Sequence, residues 1–314
     1  MTAATIRSGG IAAFPTETVY GLGCSAFNPM AAAKIFEAKK RPFFDPLIVH
    51  IADMGAIKEL TQNVDKRLAE LSEKFWPGPL TIVVKRNKAV PDIVTSGLPT
   101  VAIRMPSHPV ALELIRRTGA PIAAPSANPF GGLSPTRAEH VLEGLGENIE
   151  IILDGGPCKV GIESTIIKIE DKRTILLRPG GLPVEEIQSV IGKIDTADNT
   201  NTEAPGMLPY HYAPLKTVKI VTSLKDMDFN DEEAVFLLFK KPDDRLPDFL
   251  DKERFVILSS TGDLKEAAAN IFHSLHKLDA SSAKKIYAEA VPKESLGLAI
   301  MDRLIKASKR TETK

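Results

Sequence analysis

Polar side chains stand at the ends of several short apolar runs in this sequence. The runs end in Thr16-Glu17-Thr18, His50, Arg104, Ser126-Ala127-Asn128 and Arg178. In an open α/β sheet, ligands bind beyond the carboxyl ends of the strands, where such groups converge. The pattern therefore predicts a site that offers hydroxyl, imidazole, amide and guanidinium groups to a polar ligand.

Cations near these strand ends are suited to acidic groups. Arg104 closes an apolar run ahead of Met105-Pro106, where it either clamps a carboxylate in bidentate geometry or forms a structural salt bridge. The cluster Lys39-Lys40-Arg41 ends a predicted helix, so the helix dipole alone can explain its charge. Because Pro42 and Pro46 fix the turn that follows, we interpret the cluster as a rigid cationic corner for a polyphosphate.

Two glycine-containing segments have alternative interpretations. Ser126-Ala127-Asn128 is followed by Gly131-Gly132 and then by Ser134-Pro135-Thr136. This segment either forms turns and caps the next helix or wraps a phosphate with backbone N–H groups. Gly21-x-Gly23-x-x-Ala26 matches a loose dinucleotide fingerprint, but six residues separate Phe14 from Gly21, whereas the fingerprint begins at the strand end. We interpret these glycines as a turn that leaves room for a small substrate.

Several enzyme and metal motifs are absent from the sequence. It contains no G-x-x-x-x-G-K-[ST] phosphate loop, no G-x-S-x-G nucleophile elbow and no H-E-x-x-H zinc motif. Cys24 and Cys158 lack the spacing of metal ligands, and His273 and His276 have no third ligand nearby in the sequence. We therefore predict no protein-held metal site and interpret these histidines as surface or packing residues.

The charge balance argues against partners that are attracted by a large net charge on the protein. The 314 residues include 40 Lys and Arg and 40 Asp and Glu, which gives a formal net charge of zero. That balance provides no general attraction to nucleic acid or to an anionic membrane. No apolar stretch approaches the ~18 residues of a membrane span. We therefore expect a soluble, cytoplasmic protein.

Apolar runs alternate with helix-like segments up to about residue 194, which predicts an α/β fold with a mixed sheet. The expected strands are Ile11–Phe14, Leu47–Ile51, Leu80–Lys85, Val101–Arg104, Pro121–Ala124, Ile149–Leu153, Ser164–Ile169 and Thr174–Leu177. The expected helices are Met30–Lys40, Asp65–Phe75, Pro109–Thr118, Arg137–Leu145 and Val184–Ile191.

A change of composition marks a domain boundary. Residues 195–206 lose apolar periodicity and collect Asp, Asn and Thr, which indicates a linker. Beyond Pro214 a second pattern predicts a smaller, Rossmann-like α/β domain. Its expected strands and helices are Thr217–Val221, Ala234–Phe239, Phe255–Leu258, Leu264–Leu278, Lys285–Ala288 and Glu294–Ser308. We predict a first domain at 1–194, a linker at 195–214 and a C-terminal domain at 215–314.

The linker is rich in proline and in aromatic side chains. These residues are Pro205, Pro209, Pro214, Tyr210, His211 and Tyr212. A stiff segment whose aromatic side chains can pack on a surface can fold over a groove as a lid on a nucleotide. It can also serve as an ordinary spacer between domains.

Ordered motifs along the first domain resemble one family. They are P-T-E-T-V-Y-G-L-G (Pro15–Gly23), K-x-R-P (Lys39–Pro42), P-L-I-V-H (Pro46–His50), W-P-G-P-L-T (Trp76–Thr81), L-P-T-V-A-I-R-M-P (Leu98–Pro106), A-P-S-A-N-P-F-G (Ala124–Gly131), S-P-T (Ser134–Thr136), E-S-T-I (Glu163–Ile166) and L-R-P-G (Leu177–Gly180). Their order is that of the YrdC-like threonylcarbamoyl-AMP synthases. The resemblance covers about residues 2–190, continues at Pro205–Met207 and His211–Pro214, and with the appended domain indicates the longer, two-domain branch.

This resemblance implies a nucleotidyltransferase with a twisted α/β sheet and a deep, positively lined groove. Such an enzyme, an L-threonylcarbamoyladenylate synthase, makes threonylcarbamoyl-AMP and pyrophosphate from L-threonine, bicarbonate and ATP, on the way to threonylcarbamoyladenosine in tRNA. The tRNA is then an indirect partner, reached through a downstream threonylcarbamoyl transferase, and no membrane partner is implied.

The same resemblance divides the site residues into two groups. The threonine pocket matches Thr18, His50, Arg104, Ala124 and Ser164. The ATP contacts match Arg41, Asp45, Thr100, Ser126, Asn128, Ser134, Arg178 and Tyr212. Lys39 and Arg41 are expected to act in catalysis by offsetting charge on the triphosphate, together with Mg²⁺ bound through the ATP phosphates. No protein nucleophile is required.

The sequence departs from the family pattern at three places. Asp45 stands where Asn is frequent, so a carboxylate there needs a cation or metal partner. Leu208-Pro209-Tyr210 follows P-G-M where Lys-Tyr-Arg is frequent, which leaves Tyr212 as the linker contact. Only fourteen residues precede Pro15, which suggests that an initial strand or part of the first helix is missing.

Two other functions remain open on the residues alone. An RNA-binding module of tRNA modification, with no adenylation activity of its own, would use a basic groove. The neutral charge and the lack of interleaved aromatic and basic residues disfavour it. A dinucleotide-dependent enzyme would instead use Gly21-x-Gly23.

Overall fold

A large mixed sheet forms the first part of the protein. The structure, a computed structural model, describes residues 1–62, 64–197, 203–208, 211–242 and 251–309. Within these residues the first sheet contains β1 (Ala12–Phe14), β2 (Gly21–Ser25), β3 (Ile48–His50), β4 (Leu80–Lys85), β5 (Thr100–Arg104), β6 (Ile122–Ala124), β7 (Thr165–Glu170), β8 (Arg173–Arg178) and β9 (Asp195–Thr196). The strand order is β1-β2-β6-β3-β5-β4-β7-β8-β9. Parallel and antiparallel neighbours alternate irregularly, so the predicted mixed sheet is confirmed.

A smaller parallel sheet forms the second part. Its strands are β10 (Thr217–Val221), β11 (Ala234–Lys240), β12 (Phe255–Ser259) and β13 (Lys285–Glu289). They lie in the order β10-β13-β11-β12, and each neighbouring pair is parallel. The continuous apolar run of β11 fits a strand that is buried on both faces by helices.

Helices cover both sheets, and α2 shows how capping residues set the ends of a helix. The helices are α1 (Thr2–Arg7), α2 (Pro29–Lys39), α3 (Ile57–Leu60), α4 (Lys66–Phe75), α5 (Asp92–Thr95), α6 (Pro109–Thr118), α7 (Ala138–Leu145), α8 (Val184–Ile191), α9 (Leu264–Asp279) and α10 (Leu296–Ser308). In α2 the Asn28 side chain accepts a hydrogen bond from the Ala31 N–H, Pro29 occupies the first turn, and Lys40 ends the helix in the left-handed region at φ 51°. No helix in the described ranges combines the length and apolar character needed to cross a membrane.

Two sequence-based expectations about strands were wrong. Gly21 and Gly23 do not form a turn but lie in β2, which pairs antiparallel with β1 and β6. Close packing explains this, because a Cβ on Gly23 would lie 2.6 Å from Cγ2 of Ile122. The segment Ile149–Leu153 is not a strand either, since only Ile152 forms an isolated bridge, to Ala13.

The strand register places the predicted site residues side by side. β3 and β5 are parallel, and His50, the last residue of β3, is the register partner of Arg104, the last residue of β5. β6 runs antiparallel to β3 and pairs Ala124 with Ile48. Because β3 and β5 end at the same edge of the sheet, their imidazole and guanidinium groups meet there.

The second sheet packs directly on the first part of the chain. Val19, Leu133 and Ile162 belong to the same buried apolar cluster as the inner faces of α9 and α10. Gly161 lies against the backbone of α9, where a Cβ would be 2.4 Å from the carbonyl oxygen of Ala269. The two parts therefore share a continuous packed interface, with the linker residues that the structure describes beside it.

Candidate active site

A polar cavity opens at the ends of β3, β5 and β8. Its empty space is about 520 Å³, including the open mouth. The charged side chains that line it are Arg41, Arg104, Glu163 and Arg178. With hydroxyl groups beside these charges, the cavity has the donors needed to orient a polar anionic ligand.

The residues predicted for the amino-acid pocket all line this cavity. They are Thr18, His50, Arg104, Ala124 and Ser164. They come from the loop after β1 and from the ends of β3, β5 and β6, together with the residue before β7. The structure therefore brings this predicted group together, and its contacts with a ligand remain a prediction.

Arg104 is held in a fixed position by Glu17. Its Nη2 donates to Oε1 of Glu17 at 2.6 Å, and both side chains are buried. Its Nε donates to the carbonyl oxygen of Gly78 at 3.3 Å. No described residue accepts a hydrogen bond from Nη1, so that donor is available to a ligand.

His50 is a neutral imidazole at the cavity wall. Burial and the adjacent Arg104 guanidinium lower the pKa of His50 from 6.5 to about 3. Nδ1 lies 3.1 Å from the carbonyl oxygen of Ile48, which can accept a hydrogen bond from the ring. The Phe14 ring meets the imidazole edge to face at 6.1 Å. The ring can therefore act as a hydrogen-bonding group without adding a second positive charge beside Arg104.

Ser164 joins the amino-acid side of the cavity to Arg178. Its Oγ lies 2.7 Å from Oγ1 of Thr81, and its carbonyl oxygen accepts from Nη2 of Arg178 at 2.8 Å. Nη1 of the same arginine donates to the carbonyl oxygen of Pro205, in the linker, at 3.0 Å. Arg178 therefore fixes both the strand end and the linker beside the cavity.

Arg41, from the predicted cationic corner Lys39-Lys40-Arg41, forms an ion pair with Asp45. Arg41 Nη2 lies 2.9 Å from Oδ1 of Asp45, and its Nε and Nη2 donate to the carbonyl oxygens of Asp45 and Pro46. Burial raises the pKa of Asp45 and lowers the pKa of Arg41, while their mutual attraction opposes both shifts. The carboxylate predicted to need a cation therefore has one, although neither of its oxygens has a hydrogen bond of good geometry among the described residues.

Lys39 lies behind the cavity wall rather than in it. Its Nζ donates to the carbonyl oxygen of Ser126 at 2.6 Å and to that of Asn128. Burial, with the nearby Arg41 charge, lowers the pKa of Lys39 well below its ordinary value. Asn128 points its amide at the carbonyl oxygens of Pro129 and Gly132. Both side chains shape the loop that carries Ser126 to the cavity.

The structure brings only part of the predicted ATP group to the cavity lining. Arg41, Ser126, Arg178 and Tyr212 line it. Asp45, Thr100, Asn128 and Ser134 do not. Thr100 begins β5 whereas Arg104 ends it, which separates them by about 13 Å at the usual rise of a strand. Ser134 is fully buried and donates to Glu163 instead.

Sequence reasoning missed the acidic residues of the site. Glu17 and Glu163 were assigned no role, yet the first fixes Arg104 and the second lines the cavity. His211, predicted only as part of the linker, lines the cavity too. The available signal was an acid within a strongly apolar stretch, because a buried carboxylate requires a partner. The linker residues Pro209 and Tyr210 lie outside the described residues.

The C-terminal helices contact the cavity wall and the linker. Nε of Arg303 in α10 donates to Oε2 of Glu163 at 2.8 Å. Lys306, one turn later, donates to the carbonyl oxygen of Gly206 at 2.6 Å. In α9 the ring of Phe272 lies 5.7 Å from the ring of Tyr212. The second part of the chain therefore supports residues that line the cavity.

Three histidines stack where α9 meets α7. The ring centroids of His140 and His276 are 3.9 Å apart, and those of His140 and His273 are 5.5 Å apart. His276 Nε2 lies 3.2 Å from the carbonyl oxygen of Ser134. The two α9 histidines thus have the packing role that was one of their two predicted roles. The structure shows no group of three or more metal-ligating side chains in the ranges it describes.

Two family models together match nearly the whole chain. The Sua5/YciO/YrdC model, described as "Telomere recombination", matches residues 4–180. The model described as "Threonylcarbamoyl-AMP synthase, C-terminal domain" matches residues 182–309.

Curated relatives and solved structures agree with these matches. The threonylcarbamoyl-AMP synthase of Pyrococcus abyssi is 43% identical over 96% of this chain and 92% of its own length. That of Bacillus subtilis is 41% identical over 98% of this chain and 91% of its own length. The crystal structure of P. abyssi Sua5 complexed with L-threonine superposes with a TM-score of 0.89 at 41% identity, and covers 98% of this chain and 92% of that one.

A more distant structure shares the fold of the first part alone. The crystal structure of E. coli YciO matches with a TM-score of 0.52 at 24% identity, over 57% of this chain and 86% of its own. The relatives that match more than nine-tenths of both chains carry the name of the synthase that the motifs indicated, and no comparison favours a separate RNA-binding module. The chain therefore belongs to the Sua5/YciO/YrdC family of threonylcarbamoyl-AMP synthases, in the branch that carries the C-terminal domain.

Proposed function

We propose that this chain makes threonylcarbamoyl-AMP and pyrophosphate from L-threonine, bicarbonate and ATP. The observation that carries the proposal is one cavity with two differently built sides. On one side Glu17 fixes Arg104 among hydroxyl groups, and on the other Arg41 and Arg178 supply positive charge. The full-length likeness to a relative complexed with L-threonine supports an amino acid on the first side.

The amino-acid side matches the groups of threonine. The free Nη1 donor of Arg104 suits a carboxylate, because a guanidinium binds carboxylates directionally. The Ala124 carbonyl oxygen is an acceptor suited to the amine. The hydroxyls of Thr18 and Ser164 and the neutral His50 are left for the substrate hydroxyl and carbamate.

The nucleotide side matches a triphosphate and its base. Arg41 and Arg178 are buried cations whose positions are fixed by backbone carbonyl groups, so little reorganisation is needed when phosphates bind. Tyr212 and His211 supply aromatic surface from the linker. Ser126 lines the same cavity, and Lys39 donates to its carbonyl oxygen.

The reaction needs positioning rather than a protein nucleophile. The amine of threonine and bicarbonate form a carbamate with net loss of a water molecule. A carbamate oxygen then attacks the α-phosphorus of ATP, the bond from that phosphorus to the bridging oxygen breaks, and pyrophosphate leaves. Arg41 and Arg178 stabilise the charge that moves onto the leaving phosphates. Lys39 contributes through the loop it holds.

Mg²⁺ fits this cavity only as a companion of the nucleotide. The described residues offer no cage of three acidic or histidine ligands, and both oxygens of Glu163 are occupied, by Ser134 and by Arg303. Phosphate oxygens would hold the ion, and its contribution would be to offset phosphate charge.

The linker is proposed as a lid on the nucleotide. Pro205, Gly206, His211 and Tyr212 line the cavity, and Arg178 and Lys306 hold the carbonyl oxygens of the first two. Closure of such a segment excludes water from the reacting groups. We extend the proposal to a cytoplasmic protein whose product reaches tRNA through a downstream transferase.

The decisive experiment measures pyrophosphate release from ATP by the full chain. We expect release only when threonine and bicarbonate are both present. Arg104→Ala should lower the affinity for threonine by about 100-fold, because it removes the clamp and leaves Glu17 buried without a partner. The matched control is Arg117→Ala, which removes an exposed arginine paired with Glu113. Pyrophosphate release that does not depend on threonine would contradict the proposal. Tight tRNA binding without any pyrophosphate release would contradict it too.

A further inference from the structure

Arg303 is a fully buried arginine of the C-terminal domain that contacts two residues of the cavity wall, Glu163 and Tyr212. It lies on α10, and its side chain has no exposed surface. Its Nε donates to Oε2 of Glu163 at 2.8 Å. Its Nη1 donates to the carbonyl oxygen of Pro179 at 3.0 Å and to Oδ2 of Asp302 at 2.6 Å. A buried guanidinium with these partners is fixed in orientation.

Arg303 also contacts the linker. Its Cζ lies 4.8 Å from the centroid of the Tyr212 ring, which is the geometry of a cation–π contact. Tyr212 is buried and lines the cavity, and Lys306 on the same helix holds the carbonyl oxygen of Gly206. The helix therefore acts on two linker residues and on Glu163 at once.

Glu163 is the reason that such an arginine is needed. It is an acidic side chain in the wall of a cavity proposed to hold a polyphosphate, where a bare carboxylate would repel the ligand. Ser134 donates to one of its oxygens and Arg303 to the other. Burial acts to raise the pKa of Glu163, but the charges of Arg303 and Arg178 and the Ser134 hydrogen bond outweigh it and hold the pKa below its ordinary value.

We propose that Arg303 is a positioning residue for ATP, which neutralises Glu163 and seats the Tyr212 ring so that the cavity accepts a polyphosphate. The C-terminal domain is then a working part of the nucleotide site. This assignment rests on the proposed function, because it needs ATP in this cavity.

Replacing the two partners of the ion pair has effects of different expected size, and this difference separates positioning from simple domain packing. Arg303→Met leaves a buried carboxylate facing the phosphates, so we expect the KM for ATP to rise by about tenfold to 100-fold while the KM for threonine changes by less than about threefold. Glu163→Gln removes the repelling charge and leaves the cation, so its KM for ATP should rise much less. The double variant Glu163→Gln/Arg303→Met should recover most of the loss of the single arginine variant. The control is Lys309→Met, which removes an exposed positive charge from the residue that follows α10.

Each outcome decides the proposal. Equal losses of ATP affinity in Arg303→Met and Glu163→Gln, or no recovery in the double variant, would show that the pair only joins the domains. If Arg303→Met does not fold, the double variant, which carries neither charge, tests the proposal by itself. A KM for ATP raised by about tenfold in the double variant would then overturn the proposal. A wild-type chain without threonine-dependent pyrophosphate release would instead refute the proposed function, and that failure is visible before any variant is measured.

Discussion

Glu17 and Arg104 form a buried ion pair in which Nη2 of the arginine lies 2.6 Å from Oε1 of the acid. The pair comes from the loop after β1 and from the end of β5, and it leaves Nη1 of Arg104 without an acceptor among the described residues. A buried charge that is already paired needs less reorganisation when a second anion arrives. Glu17 thus sets the direction of a cation that we assign to the substrate carboxylate.

Replacing Glu17 tests this orientation. Glu17→Gln keeps the shape and an acceptor oxygen but removes the charge, so Arg104 should be held less firmly. We expect the KM for threonine to rise by about tenfold with little change in the KM for ATP. Steady-state pyrophosphate release gives both constants, with Glu113→Gln on the exposed face of α6 as the control. Equal changes in both constants would argue against a threonine-side role.

The glycines of β2 provide a test of packing. A Cβ on Gly23 would lie 2.6 Å from Ile122 Cγ2 and 2.7 Å from Phe14 Cε1, whereas a Cβ on Gly21 would meet its nearest atom at 3.3 Å. We expect Gly23→Ala to lower the free energy of unfolding by about 1–3 kcal/mol, and Gly21→Ala by less. Urea unfolding followed through Trp76, which is buried, measures both. The interpretation fails if Gly21→Ala is the more damaging variant.

These glycines show where sequence reasoning stopped. Glycine is disfavoured in strands, so Gly21-x-Gly23 indicates a turn by local preference. The structure overrides that preference because a side chain at Gly23 would clash with Phe14 and Ile122, and this becomes visible only once β1 and β6 are neighbours. The reverse error at Ile149–Leu153 has the same origin, since an apolar run was present but only Ile152 found a bridge partner.

Lys39 is expected to act through the loop that it holds. Lys39→Met keeps the length of the side chain but removes the donor to the carbonyl oxygens of Ser126 and Asn128. The two acceptors would then be left unpaired, which should cost about 2 kcal/mol of stability and raise the KM for ATP. Thermal unfolding and pyrophosphate release measure the two effects.

A second lysine on α2 gives the matched control. Lys34 Nζ donates to the carbonyl oxygen of Gly9 at 2.7 Å, away from the cavity. Lys34→Met should therefore affect stability without changing the KM for ATP. A Lys39→Met chain with unchanged stability and ATP affinity but a low kcat would point instead to direct contact with the reacting groups.

The buried histidines predict that acid destabilises the protein. Burial, with the charges of His276, His273 and Arg137, lowers the pKa of His140 from 6.5 to about 3. His50 is lowered to a similar value. A pKa that is lower in the folded state means that the unfolded chain binds more protons, so stability is complete above 6.5 and is lost as the pH falls toward 3. Each histidine contributes a slope of about 1.4 kcal/mol per pH unit at most.

Substitution of His140 should reduce this slope. His140→Asn retains an acceptor for the Thr136 N–H, which now bonds to Nδ1 of the imidazole. The charged groups that face the stack are Arg137, Glu139, Glu143, Lys277 and Asp279. Denaturant midpoints between about pH 7 and pH 4 measure the slope. His108→Asn, at a half-exposed histidine, should change it less, and an unchanged slope in His140→Asn would contradict the assignment.

The site residues that end an apolar run could be predicted from the sequence. An apolar run that ends in Arg104 or His50 is visible in the sequence, and both residues reach the cavity. The partners were not predictable, because Glu17 lies 87 residues from Arg104 and only the fold joins them. Thr100 was assigned by resemblance alone and starts β5 rather than ending it, so its contact with ATP stays a prediction.

The pairing of Glu163 with Arg303 also constrains the order of events during synthesis. The two residues are 140 positions apart, and the arginine belongs to the last described helix. At a translation rate of about 10 residues per second, the first sheet emerges from the ribosome on the order of ten seconds before the partner of its buried acid. During that interval Glu163 must remain hydrated or protonated, so the cavity matures only when the chain is nearly complete. A nascent chain that still lacks α10 therefore holds Glu163 without its arginine partner.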